Sequence, residues 1–133
     1  MKEETLEDYI ASYKCKKENQ WGLAQTISEL ADKHGFKKDS QIYSDALISK
    51  QTWSNVMSEK TRPSQDFLIK VSLVMHLDEH ECMLLLDRGG YYLDSGNTRS
   101  LIIRYCIKNK IYSIADVDDM LKKNKCEPLT KSI

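Results

Sequence analysis

Residues 41–60 read QIYSDALISKQTWSNVMSEK. Apolar side chains recur here at helical spacing, lapse once near Ile48–Ser49, and then recur again. The first segment carries Ile42, Tyr43, Ala46 and Leu47, which keeps one face of a short helix dry. Ser49 is an N-cap for the second segment, since its hydroxyl can accept from a backbone amide left free at a helix start. That second helix turns Trp53, Val56 and Met57 inward and Lys50, Gln51, Ser54 and Asn55 outward. Trp53 lies opposite Gln51 and Asn55, so it is expected in the core rather than as an exposed stacking group. Two short helices around one tight corner, the second opening on cationic, amide and hydroxyl side chains, form the pattern of a helix-turn-helix.

The flanks read as scaffold. Upstream, residues 21–36 form a helical tract striped by Leu23, Ile27, Leu30 and Ala31, in which Gly35 after His34 ends the helix and Phe36 follows as the apolar partner. Lys37, Lys38, Asp39 and Ser40 form a polar turn in which Ser40 caps the helix at 41. Further upstream, Leu6, Tyr9, Ile10 and Tyr13 stripe a helix over 5–19 that starts at Thr5. It either packs back on the core or serves as a dimerisation arm. Downstream, Pro63–Ser64 starts a helix over 65–76 lined by Phe67, Leu68, Val71, Val74 and Met75.

Asp78 with Glu81 forms a capping box for the next helix, which ends at Arg88–Gly89–Gly90. A Tyr91–Tyr92–Leu93 link is expected to pack. A helix over 99–109, capped by Asn97 or Thr98, places Leu101, Ile102, Tyr105 and Cys106 inside. Ser113 with Asp116 opens a last helix over 114–123, and the tail frays after Pro128. No strand-like alternation is sustained anywhere. The fold class is all-α, in three parts: a helical extension at 1–22, the helix-turn-helix domain at 23–88, and a C-terminal helical extension at 89–133 packed on it.

Composition narrows the function. The 133 residues carry a formal net charge of zero, which argues against coating nucleic acid by bulk electrostatics. Charge is nonetheless uneven. Ser49 to Arg62 holds three bases against one acid, a balance of plus two, and Asp78 to Arg88 holds four acids against one base, a balance of minus three. Arg99, Arg104, Lys108 and Lys110 form a basic set for flanking phosphate, a carboxylate-rich partner, or only water. The acidic start MKEETLEDYI has no apolar signal core, no run is long enough to span a membrane, and the four cysteines (15, 82, 106, 126) form no C-x-x-C pair. A cytoplasmic protein with reduced thiols and no membrane association is expected.

Residues 26–86 resemble the lambda-repressor-like, or XRE, helix-turn-helix family, a five-helix DNA-binding fold. The match is strongest over ISKQTWSNVMSEKTRPSQDFLIKVSLVMHL, residues 48–77. Ser49 matches the hydroxyl cap of the family's recognition helix, Ser58–Glu59–Lys60 its end, and Pro63–Ser64 the start of the fourth helix. Glu59 departs from the usual glycine and is expected in a helical extension rather than a tight turn. The stretch from Asp87 to Leu129 is similar to the tail of a bacterial XRE-like group with two extra C-terminal helices.

The resemblance implies a transcriptional regulator of the bacterial cytosol or nucleoid. Such a regulator would bind double-stranded DNA as a homodimer, with helix 49–58 in the major groove. Lys50, Gln51, Ser54 and Asn55 would then contact bases. Lysine donates to guanine, and glutamine or asparagine pairs bidentately with adenine. Lys37, Lys38, Ser40, Thr52, Lys60 and Arg62 would contact phosphates, which position the protein without specifying sequence.

Other chemistry has little support. His76 and His80 are four apart, but a break at Leu77–Asp78 separates their faces, and no H-E-x-x-H arrangement exists. The cysteines have no dyad partner, there is no phosphate-cradling loop, and the carboxylates are scattered. Neither enzymatic activity, nor a cofactor, nor a metal is expected. The rival reading, motivated by neutral charge, Glu59 and the acidic 78–87 segment, is an adaptor or inhibitor that keeps the fold and binds a protein partner instead of DNA.

Overall fold

Among the described residues of the computed structural model, Leu6 and 22–130, seven helices follow in chain order. They are α1 (Leu23–Lys33), α2 (Asp39–Asp45), α3 (Lys50–Met57), α4 (Gln65–Val74), α5 (Glu79–Arg88), α6 (Thr98–Lys108) and α7 (Ile114–Lys123). No strand occurs among them, and the domain is all-α and compact. The helix expected over 5–19, and Cys15 with it, lies outside the described residues.

Five helices open on a capping side chain. Ser49 Oγ accepts from Thr52 N at 3.1 Å, Ser64 Oγ from Phe67 N at 3.1 Å, Asn97 Oδ1 from Ser100 N at 3.2 Å and Ser113 Oγ from Asp116 N at 3.4 Å. Asp78 and Glu81 complete a reciprocal box, Glu81 N donating to Asp78 Oδ1 at 2.7 Å and Asp78 N to Glu81 Oε1 at 3.1 Å. Each such cap is worth about 1 kcal/mol. Ser40 does not cap α2. The helix starts two residues earlier, with Lys38 at the cap position, and Gln41 Oε1 accepts from the amides of Lys37 and Lys38 at 3.2 Å each.

All seven of these helices end alike. The residue after the C-cap takes positive φ and donates to the carbonyl three back, and the next residue donates to the carbonyl five back. Glycine fills the left-handed place only at Gly35 and Gly90; Leu47, Glu59, His76, Lys110 and Lys125 fill it elsewhere, at φ of 56–62°. A side chain there costs roughly 1–2 kcal/mol. At six of the seven ends an apolar residue follows and packs inward: Phe36, Ile48, Leu77, Tyr91, Ile111 and Cys126. Two expectations change as a result. Leu47 is swung off the dry face and stands 66% exposed. Glu59 is in a tight left-handed turn, not a helical extension, with Lys60 N bonded to Asn55 O at 2.9 Å.

One apolar cluster runs from Leu23 to Leu129. The central helix is α4, which buries Phe67, Leu68, Ile69, Val71, Ser72 and Leu73, the full burial of each large side chain contributing roughly 1.5–3 kcal/mol. It packs on α2 and α5; α1 packs on α3 and α5, α5 on α6, and α6 on α7. Helices α4 and α5 meet closely at Gly89, where a Cβ would fall 2.5 Å from Leu68 Cδ1.

The register of α6 differs from the expected one. Ile103, Cys106 and Ile107 are buried, while Leu101 and Tyr105 are 47% and 53% exposed. The tail after Pro128 is also held at its start: Leu129 is 2% exposed, and its amide donates to Asp118 Oδ1 at 2.6 Å. Thr130 adds bonds from its amide and its hydroxyl to Asp118 Oδ2.

Candidate nucleic-acid interface

Helix α3 has two faces set by its sequence. Trp53 and Val56 are buried, Met57 is half-buried, and Lys50, Gln51, Thr52 and Ser54 are exposed, with Asn55 intermediate. Gln51 Nε2 donates to Asn55 Oδ1 at 3.1 Å across one helical turn, so the two amides form an ordered pair. Each keeps an N–H and a lone pair for a further partner. Thr52 is committed locally, its hydroxyl accepting from Ser49 Oγ at 2.8 Å.

Helix α2 lies against α3, and a shallow groove lined by Ser40, Tyr43, Lys50, Ser54 and Ser58 separates their outer edges. The floor includes Trp53, whose indole stacks near Phe67 of α4 with centroids 5.9 Å apart and near Tyr43 of α2 at 6.0 Å. Trp53 Nε1 donates to Asp39 Oδ2 at 3.1 Å. The core placement expected for Trp53 holds.

The expected phosphate contacts divide into two groups. Lys37, Lys38 and Lys60 are exposed, as is Lys50, and none of these makes an ion pair with a described residue. Ser40 is exposed in the first turn of α2. Arg62 is also exposed, but its guanidinium is engaged by the chain's own backbone. Its guanidinium donates from Nε and a terminal nitrogen to Gly89 O at 3.1 and 3.0 Å, and it lies 4.5 Å from the Tyr91 ring centroid.

The C-terminal basic set is likewise half used. Arg99 pairs with Asp66 at 2.8 Å and donates to Glu127 O at 2.9 Å, and Arg104 pairs with Glu79 at 3.3 Å. Lys108 and Lys110 stay exposed.

Glu81 does more than complete a capping box: it is a buried carboxylate joining α1 to α5. Lys33 Nζ lies at 2.8 Å and His34 Nε2 at 3.1 Å. Burial opposes its ionisation, but the bonds from Lys33, the Asp78 amide and His34 outweigh this and hold its pKa down to about 2. The sequence carries no signal for this, since Lys33 and Glu81 are 48 residues apart.

Among the described residues, no group of three or more His, Cys, Asp and Glu is placed to hold a metal ion. His76 stacks on Tyr112 with ring centroids 4.3 Å apart. Burial pushes the Cys82 thiol up to about 11, away from nucleophilic use. No described helix is long and apolar enough to cross a membrane. Compared with family models, curated proteins and solved structures, the chain matches none.

Proposed function

We propose that this protein binds double-stranded DNA in a sequence-specific way, as a transcriptional regulator of the lambda-repressor-like helix-turn-helix kind. The observation that carries this reading is the division of α3: Trp53 and Val56 anchor it, while Lys50, Gln51, Ser54 and Asn55 face outward beside the short corner from α2. Such a helix fits a major groove, where the Gln51–Asn55 amide pair would read adenine and Lys50 guanine. Lys37, Lys38 and Lys60 flank it as exposed cations for backbone phosphate. A single short helix reads a half-site, so a homodimer on a palindrome is expected.

The test is selection from a randomised duplex library at about 0.1 M salt, with the K50A/Q51A/N55A variant alongside. An enriched motif that the variant loses supports the reading. No enrichment by folded wild-type protein overturns it.

A second reading is favoured by the exposed Leu101–Tyr105 pair on α6. In that reading the protein is an adaptor or inhibitor that docks on another protein. Stoichiometric complex formation, unaffected by competing duplex and lost in L101S/Y105S, would support it.

A further inference from the structure

Helix α3 is held by few side chains. Only Trp53 and Val56 are buried in its eight residues. Trp53 belongs to three helices at once, through Tyr43 of α2, Phe67 of α4 and its own backbone in α3. Aromatic contacts of this kind fix distance well and rotation poorly, because tilted and offset arrangements are close in energy. The indole N–H is directional. It points to one acceptor, Asp39 Oδ2, in the first turn of α2. A rotation of α3 by about 15° would move side-chain ends roughly 6 Å from its axis by about 1.5 Å. That displacement exceeds what a base-edge hydrogen bond tolerates.

We infer that Asp39 is a positioning residue: through the Trp53 indole it sets the angle at which Lys50, Gln51, Ser54 and Asn55 face a duplex. This rests on the DNA-binding proposal. Asp39 is itself exposed at the rim of the α2–α3 groove, so water can reach the indole and replace it as partner when its side chain is removed. Its carboxylate also faces the side where phosphates would approach, so removing the charge alone should raise affinity for every duplex alike. The two roles therefore carry opposite signatures, and the Asp39→Asn substitution separates them. An amide at this position removes the charge and keeps an acceptor for the indole.

The experiment uses the full chain with the duplex that wild-type protein selects, and the same duplex with its contacted base pairs substituted. Discrimination is the ratio of the two affinities. D39A is expected to lose roughly five- to tenfold in discrimination, with non-specific affinity unchanged or raised. D39N is expected to keep wild-type discrimination. W53F keeps an aromatic ring and lacks the donor, so it should match D39A, and D39A/W53F should be no worse than either alone. Unfolding midpoints confirm that each variant is folded at the assay temperature. A wild-type protein that selects no motif overturns the function and the positioning role together. A wild-type protein that selects a motif, with D39A discriminating equally well or D39N failing like D39A, overturns the positioning role alone.

Discussion

Arg62 and Tyr91 hold each other's loops in opposite directions. The Arg62 guanidinium reaches from the α3–α4 loop to Gly89 O and covers the Tyr91 ring, while the Tyr91 hydroxyl reaches back to donate to Pro63 O at 2.8 Å. The clasp ties the end of the proposed reading element to the link that precedes α6. It also means that an effect of Arg62 on duplex binding must be separated from its effect on stability.

R62A should therefore lose stability, by roughly 1–3 kcal/mol in urea unfolding, from two bonds to one carbonyl and the ring contact. R62K should recover only part of this, since a single ammonium cannot make the forked contact. Equal stability of R62A and wild type would show that the clasp contributes nothing.

Glu81 should make stability depend on acid pH. Its folded pKa, about 2, lies below the ordinary 4.5, so its contribution is fully present above pH 4.5 and is lost as pH falls toward 2. The contribution is roughly 2–3 kcal/mol at neutral pH. E81Q should be less stable than wild type by about that amount at pH 7, and the gap should close by about pH 2. Urea midpoints of both proteins across this range measure it.

Glu59 is a side chain in a glycine place. E59G should raise stability by about 0.5–1 kcal/mol by relieving the left-handed strain. E59Q should not. If DNA is the partner, both should tighten duplex binding at low salt, because both remove a negative charge beside Lys60. Thermal midpoints and salt-dependent binding of the two variants separate strain from charge.

The exposed Leu101–Tyr105 pair is an apolar surface on α6, and the proposed homodimer is one partner that would cover it. L101S/Y105S should fold as well as wild type, since neither side chain belongs to the buried cluster. If α6 forms the dimer, sedimentation of the variant should show a monomer where wild type sediments as a dimer.

Much of this fold is local and legible in the sequence for that reason. Ser49, Ser64, Asp78 and Ser113 cap their own helices through bonds spanning three residues. The outward set on α3 follows from period alone. The rotation of α6 is not legible, because its polar stripe of Ser100, Arg104 and Lys108 is flanked by apolar residues on both sides, Leu101 and Tyr105 on one and Ile103 and Ile107 on the other, so α5 and α7 decide which side is buried. The partners of Arg62, Arg99 and Glu81 are 25 or more residues away and have no local trace. The shared helix ending has a usable signal that glycine alone does not reveal, an apolar residue two places past most of the caps.

The bridges at Glu81 also bear on how the chain reaches this state. Every helix end closes through backbone bonds spanning six residues or fewer, whereas Lys33 and His34 meet Glu81 only when a loop of more than forty residues closes. Contacts of that separation form late, after neighbouring helices have paired. E81Q should accordingly leave the refolding rate near that of wild type and speed unfolding, giving a φ-value near zero in stopped-flow measurements. Docking of α1 would then be the last event in folding and the first in unfolding.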